Sequence, residues 1–300
     1  MRPLFTIFTA TYNRAYSLPQ LYRSLCSQSS KNFEWLIIDD GSTDETESLT
    51  ESWITAESGF IIRYYKKDHG GKPRAINYGI RFAKGEYFFM VDSDDFLLPE
   101  AIEKFTAWVS EIQEEDKMIG VGAARGYPDG RYLKGRPPMV NRFGYVDATN
   151  LERENYDLDA DMCEAYRTEI FRQFPMPEWP GEQFAPEQIA LNEIALAGYR
   201  LRWHRDIVYI CNYLPDGLTR GSWTLEKENP MGYAMMYNHM LRYSYPIPRK
   251  FHAACQHIAL SLYGKRPGYI FKTNAWSYTI LAVPFGIVLS FRRKRQFRKG

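Results

Sequence analysis

Residues 86–95 read Glu86-Tyr87-Phe88-Phe89-Met90-Val91-Asp92-Ser93-Asp94-Asp95. A short run of aromatic and aliphatic side chains that stops at a cluster of carboxylates is the pattern of a buried strand, Tyr87–Val91, opening into a polar loop. The pattern recurs upstream. Phe5–Ala10 leads into Thr11-Tyr12-Asn13-Arg14, Phe33–Ile38 into Asp39-Asp40-Gly41-Ser42-Thr43-Asp44, and Phe60–Tyr65 towards Asp68-His69-Gly70-Gly71-Lys72. Helical segments separate these strands. Ser17-Leu18-Pro19-Gln20 reads as a capping box, with Leu18, Leu21, Tyr22 and Leu25 as the apolar stripe behind it. Ser42 to Glu45 reads as a second helix start. Pro73 to Lys84 reads as a helix stopped by Gly85, and Pro99–Val109 as another. Strand–helix alternation at this spacing predicts an α/β fold, a mostly parallel sheet flanked by helices. In such sheets ligands bind outside the carboxyl ends of the strands, so four polar clusters at four strand ends predict one site.

The rest of the chain is less regular. Residues 120–150 read as loops and short strands, Pro186–Ala197 as a helix, Ile207–Asn212 as a strand, Tyr213–Trp223 as a loop and Tyr233–Tyr263 as one helical stretch. With 300 residues, 45% hydrophobic and 25% charged, there is ample material for a core, and a mean hydropathy of −0.45 excludes a polytopic membrane protein. The four cysteines lie far apart with no zinc spacing, which predicts reduced, mostly buried thiols in a cytosolic chain. Met1 to Phe5 runs straight into a strand without an apolar leader, which predicts no export. The net charge of +2 hides six basic residues among the last ten, which leaves the first 290 at −4 and argues against nucleic acid as a partner.

Several carboxylates at one strand end repel one another unless a cation compensates them. Asp92, Asp94 and Asp95 therefore suggest Mg²⁺ or Mn²⁺ shared with the phosphates of a ligand, a diphosphate leaving group being the natural third partner. Asp39 and Asp40 offer carboxylates for a ring N–H and ribose hydroxyls, and Tyr12 offers a face for stacking a base. Gly70 and Gly71 permit close backbone approach, and Lys72 adds a point charge suited to a diphosphate. Neither a dinucleotide-binding glycine motif nor a P-loop is present. Arg220, after Gly217-Leu218-Thr219, could close over the diphosphate. His204, His239, His252 and His257 read as packing or surface groups.

The stretches TATYNR, WLIIDDGSTDET and DHGGKPRAINYGIRFAKGEYFFMVDSDD together resemble the donor-binding half of the family-2 glycosyltransferases, over about residues 4–100. GEQFAPEQIALNEIA and YLPDGLTR resemble the acceptor half of a bacterial subgroup that builds surface polysaccharides. The resemblance implies the GT-A fold, a nucleotide-sugar donor, transfer with inversion, and Mg²⁺ or Mn²⁺. By position it places Ala10, Tyr12 and Asp40 at the nucleobase; Asn13, Arg14, Gly71 and Lys72 beside them are read as further donor-binding residues. It makes Asp94 and Asp95 the ribose and metal-diphosphate pair, with Asp92 beside them. The family's catalytic base is an acid opening a late helix, often in a Glu-Asp pair. Here Glu187 is followed by Gln188 and Glu182 by Gln183, so Glu187 is the first choice and Glu182 the reserve. A carboxylate within reach of the acceptor hydroxyl suffices as base, and no covalent nucleophile is required.

These readings divide the chain into a glycosyltransferase domain at 1–225, with a nucleotide-sugar half (1–100) and an acceptor half (101–225), and a helical region at 226–300. Ala275–Phe291 is 17 residues without a charge, followed at once by the basic cluster, which predicts attachment to the cytoplasmic face of a membrane. The competing expectation is a helix buried on the body with a solvated tail. The activity predicted is metal-dependent transfer of a sugar from a nucleotide sugar, a UDP-sugar above all, to a glycan or lipid-linked acceptor. Two other readings carry less. A sugar-phosphate nucleotidyltransferase would want a Gly-rich basic loop after the first strand, which Thr9–Arg14 lacks. A non-catalytic nucleotide-sugar-binding scaffold at the membrane would not need the intact Asp92–Asp95 cluster.

Overall fold

A computed structural model of the chain describes residues 2–212 and 222–297, so Arg220 and most of the loop at 213–223 lie outside the described residues. The chain forms two compact units, Met1–Pro175 with Leu191–Leu214, and Met176–Ala190 with Pro215–Gly300.

The first unit is built on β1 (Phe5–Thr11), β2 (Phe33–Asp39), β3 (Ile61–Lys66) and β4 (Tyr87–Met90), paired in parallel in the order β3-β2-β1-β4. Antiparallel β8 (Met162–Arg167) continues the sheet from β4 to β6 (Met118–Gly126). Then come β9 (Arg200–Ile210), parallel to β6, and the short β5 (Phe96–Leu97) and β7 (Tyr145–Ala148), both antiparallel to β9. The central strands are mostly apolar because both faces are covered, and a buried exception such as Glu34 of β2 is paired, with the Thr6 hydroxyl and Arg63. Phe5, Ile7, Trp35, Ile37 and Phe89 share one core with Leu18, Leu21 and Leu25 of α1 (Leu18–Cys26) and with Trp53 of α2 (Thr46–Ile54). Ala101, Phe105 and Trp108 of α4 (Ala101–Glu111) join that same core. The alternate residues Phe8 and Ile38 turn the other way, towards α3 (Lys72–Gly79).

Register decides where the site lies. Thr11 pairs with Asp39, and Asp39 with Lys66, so three strands end level. Arg125 near the end of β6 pairs with Tyr209 near the end of β9, and Phe96 pairs with Ile210. The Asp92–Asp95 loop is thereby brought onto the same edge.

Several local expectations are corrected. Neither capping box forms: α1 has no side-chain cap, the Ser17 hydroxyl reaching the Arg14 carbonyl instead, and α2 begins only at Thr46. Helix α3 ends at Gly79, well before Gly85, because the carbonyls of Ile80 and Ala83 accept from Arg172 and that of Phe82 from Arg63. Residues 118–126 are a nine-residue central strand, hidden in the sequence by its small side chains (MIGVGAARG). The cysteines are free, with Cys163, Cys211 and Cys255 buried and Cys26 exposed.

The second unit holds α7 (Ser222–Glu228), α8 (Pro230–Met240), α9 (Ile247–Tyr263) and α10 (Trp276–Phe297). The stretch expected to be one helix at 233–263 is broken: α8 ends at Met240, and Pro246 holds the chain extended just before α9, whose first turn takes Pro248. Helix α5 (Thr168–Phe171) is a single turn after β8, and α6 (Gln188–Leu196) begins within the residues of the second unit and runs into the first.

Candidate active site

At the carboxyl end of β1 the chain turns through Asn13, whose φ of 51° is the left-handed conformation that asparagine tolerates. Its N–H donates to Ser42 Oγ at 2.8 Å, and its side-chain oxygen accepts from Thr43 N at 2.8 Å, locking the loops after β1 and β2 together. Arg14 N–H reaches Thr46 Oγ1 at 3.3 Å, and its guanidinium bonds the Tyr16 hydroxyl. Ala10 is part-exposed at this edge.

The two aspartates after β2 face inward. Asp39 is fully buried and accepts from Ser42 N at 2.7 Å and from the Tyr64 hydroxyl at 2.5 Å. Asp40, also buried, accepts from Gly70 N at 3.1 Å, from Gly71 N at 2.7 Å, and from Lys67 and His69. A buried carboxylate is stable only when its oxygens are satisfied, and here the loop at 67–71 wraps around Asp40 to do so. Gly71 carries a φ of 92°, which a β-carbon would strain, and this conformation aims its N–H at Asp40. The loop in turn sets His69 flat beneath Tyr12, ring centroids 4.0 Å apart and 17° from parallel. Tyr12 remains 42% exposed.

The acidic loop after β4 is the electrostatic centre. Lys72 Nζ lies 2.7 Å from Asp92 Oδ1, and Arg125 Nη1 lies 3.1 Å from Asp92 Oδ2 and 3.7 Å from Asp95 Oδ2. Asp92 also touches the Tyr209 hydroxyl, which accepts from Asp92 N at 2.9 Å, and the guanidinium of Arg125 sits 4.1 Å above the Tyr209 ring. Burial alone would raise the Asp92 carboxyl, but Lys72 and Arg125 override it and hold it well below the usual carboxylate range. Asp95 accepts from Asn212 N at 2.9 Å, and Asn212 is itself held by Gln20 at 2.8 Å. Burial, with the charge of Asp92, nevertheless pushes Asp95 up to about 7. Asp94 is raised by the same two causes.

Among the described residues no group of three or more His, Cys, Asp or Glu side chains is arranged to hold a metal ion. The chemistry of the donor set still fits a divalent cation at two of the three acids. Asp94 and Asp95 are crowded carboxyls whose negative charge is poorly compensated, which a hard cation would relieve, whereas Asp92 already has two cationic partners.

Of the residues expected from the sequence, Tyr12, Asn13, Arg14, Asp40, Gly71, Lys72, Asp92, Asp94 and Asp95 gather on one edge of the first unit. Lys72 spends its ammonium on Asp92. Glu182 and Glu187 belong to the second unit. Glu182 is fully engaged at the start of α8, accepting from Met231 N at 2.9 Å and Gly232 N at 2.8 Å. Glu187 is part-exposed and immediately precedes α6. Arg125, Tyr209 and Asn212 were not anticipated. An arginine inside an otherwise small, apolar strand was the available signal, since such a charge must find a carboxylate.

Comparison with known proteins agrees with this architecture. Residues 6–174 match Glycosyl transferase family 2, and the chain belongs to that family. An uncharacterized glycosyltransferase of Rickettsia typhi is 34% identical over 120 residues, 40% of this chain and 36% of that protein, so the match spans little more than a third of the relative. Among solved structures, Staphylococcus aureus TarS 1–349 in complex with UDP-GlcNAc superposes with a TM-score of 0.64 at 19% identity, over 95% of this chain and 81% of that one. The Pyrobaculum calidifontis mannosyltransferase in complex with GDP-Man and Mn²⁺ gives 0.56 at 16% identity, over 99% and 83%. The fold is the α/β GT-A fold that the motifs implied.

Proposed function

We propose that this chain transfers a sugar, with inversion, from a UDP-sugar to a hydroxyl of a glycan or lipid-linked acceptor in surface polysaccharide synthesis. Residues 1–100 hold the donor, and residues 101–225 receive the acceptor while lending Arg125, Tyr209 and Asn212 to the donor cluster. The observation that carries the reading is the alignment, on one sheet edge, of a stacked aromatic shelf (Tyr12 on His69) with an acidic loop whose charge is only partly compensated. Family membership and the fold shared with TarS, which was solved with UDP-GlcNAc, support a nucleotide-sugar donor.

Tyr12 takes the base on its open face, and Asp40 acts through the loop it organises. Asp94 and Asp95 would hold Mg²⁺ or Mn²⁺, which when bound supplies positive charge against the diphosphate. Asp92, kept ionised by Lys72 and Arg125, fixes those two cations at the rim of the site. Glu187 takes the proton of the acceptor hydroxyl as it attacks the anomeric carbon. Glu182, with both oxygens bonded to backbone N–H groups, serves α8 instead.

Calorimetric titration of UDP, with and without Mn²⁺, into the wild type and Asp95→Asn tests the donor site. Tighter binding with Mn²⁺ that Asp95→Asn abolishes is expected. Equal affinity with and without metal in the wild type would overturn the metal-diphosphate assignment. Turnover across a panel of nucleotide sugars tests the transfer itself.

A further inference from the structure

The second unit carries a surface that sugar transfer does not explain. Helix α10 buries one narrow stripe, Thr279, Ala282, Gly286, Ser290, Arg293 and Phe297, spaced three or four residues apart as a single helix face requires. The stripe is small because α9 lies close: a β-carbon at Gly286 would come within 2.6 Å of Ile258. At its far end Arg293 is taken inside, bonded to Gln256 at 2.6 Å and to Glu226 at 2.5 Å.

Tyr278 and Leu289 flank this stripe and pack beside it, and most of the rest of α10 up to residue 291 is outward-facing and apolar. Trp276, Ile280, Leu281, Phe285, Val288 and Phe291 are all more than half exposed, with Leu281 at 65% and Phe291 at 67%. Soluble surfaces rarely carry so continuous an apolar face without a partner. One turn later the same exposed side becomes basic, with Arg292, Lys294 and Arg295 all exposed.

The charge of the region names the partner. From Asn229 to Gly300 the sequence contains 12 Lys and Arg residues and no Asp or Glu, whereas residues 1–228 hold 26 basic and 36 acidic residues. A face meant for a second copy of this chain would set these cations against one another with no acid on either side to answer them. An anionic lipid surface answers the exposed ones, Arg293 being already paired with Glu226. Among the described residues no helix is long and apolar enough to cross a membrane, so insertion is in-plane.

We infer that α10 is an interfacial helix that lies in an anionic lipid surface, its exposed apolar face sunk among the acyl chains and Arg292, Lys294 and Arg295 at the headgroups. An outward tryptophan at Trp276 suits the same boundary.

Co-sedimentation of the full chain with vesicles of phosphatidylcholine, with or without phosphatidylglycerol, tests this without donor or acceptor. It therefore fails or succeeds independently of the glycosyltransferase reading. Binding to the anionic vesicles is expected, weaker by about tenfold or more on phosphatidylcholine alone, since each cation at an anionic surface is worth roughly fivefold. Ile280→Glu with Leu281→Glu should abolish binding while leaving the circular dichroism spectrum and melting temperature unchanged. Replacing Arg292, Lys294 and Arg295 by serine should remove only the preference for anionic lipid. No sedimentation with anionic vesicles at low salt would overturn the inference. So would self-association abolished by the two glutamates in a protein that ignores vesicles, which would give the face to a second copy.

Discussion

Arg125 Nη1 lies 3.1 Å from Asp92 Oδ2 and 3.7 Å from Asp95 Oδ2, so one part-buried guanidinium on β6 serves two carboxylates of the loop after β4. The pairing joins strands that the chain visits 33 residues apart. It divides the three acids of the loop into one that is well compensated, Asp92, and two that are not.

Removing Arg125 should therefore be costly in two ways. Arg125→Ala leaves Asp92 with Lys72 alone and Asp95 without this cation, and because the pair is part-buried the loss should fall below the roughly 3–5 kcal/mol of a fully buried one. Arg125→Lys keeps a charge but loses the fork and the stack on Tyr209, and should retain most of the stability. Denaturant unfolding of both variants measures the difference; equal stability of Ala, Lys and wild type would refute the bridging role.

Tyr12→Ala should weaken UDP binding by about 5- to 150-fold, the effect of losing one base–aromatic stack of about 1–3 kcal/mol. Tyr12→Phe should keep the affinity, because the ring and not the hydroxyl is what rests on His69. Calorimetry on the three proteins checks this, and a loss in Tyr12→Phe matching that in Tyr12→Ala would contradict stacking.

The two candidate bases should part in opposite directions. Glu187→Gln should retain donor affinity and lose about 10²- to 10⁴-fold in transfer rate. Glu182→Gln should keep transfer and lose about 1 kcal/mol of stability, since it weakens the acceptor for two N–H groups at the start of α8. Parallel kinetics and melting curves decide, and a dead Glu182→Gln beside a normal Glu187→Gln would exchange the roles.

His204 predicts an acid-sensitive fold. It is buried, stacked on Trp108 at 4.0 Å, and its Nε2 has no hydrogen-bond partner. Burial lowers it from 6.5 to about 4. The unfolded chain therefore takes up a proton that the folded chain refuses, and stability present above pH 6.5 is lost as the pH falls towards 4. At about 1.4 kcal/mol per unit the loss approaches roughly 3 kcal/mol. His204→Phe, which preserves the stack and cannot titrate, should flatten this part of the stability–pH curve; an unchanged curve would assign the acid sensitivity elsewhere.

Much of the site was legible because strand ends are local features. The apolar runs at Phe5, Phe33 and Tyr87 each announce both a buried strand and its polar exit, and parallel connection then obliges those exits to share an edge. The capping boxes at Ser17 and Ser42 misled for a related reason: their hydroxyls found partners in neighbouring turns, and the sequence could not reveal that competition. The carboxyl end of α3 is likewise invisible locally, since Arg63 and Arg172, distant in sequence, claim the carbonyls a longer helix would have used.

The sequence by itself determined the alternation of strands and helices, and hence the parallel half-sheet and the edge on which Tyr12, Asp40 and Asp92–Asp95 gather, because periodic burial and turn chemistry act over a few residues. Only the tertiary structure decided what each carboxylate does. Asp39 and Asp40 turn inward to satisfy their own loops, Asp92 is neutralised by Lys72 and Arg125, and Asp94 and Asp95 are left crowded. The physical reason is that the state of a carboxylate depends on burial and on charges within a few ångströms. Those charges arrive from β6 and α3, and a hydroxyl from β9, none of which a local pattern places beside the loop.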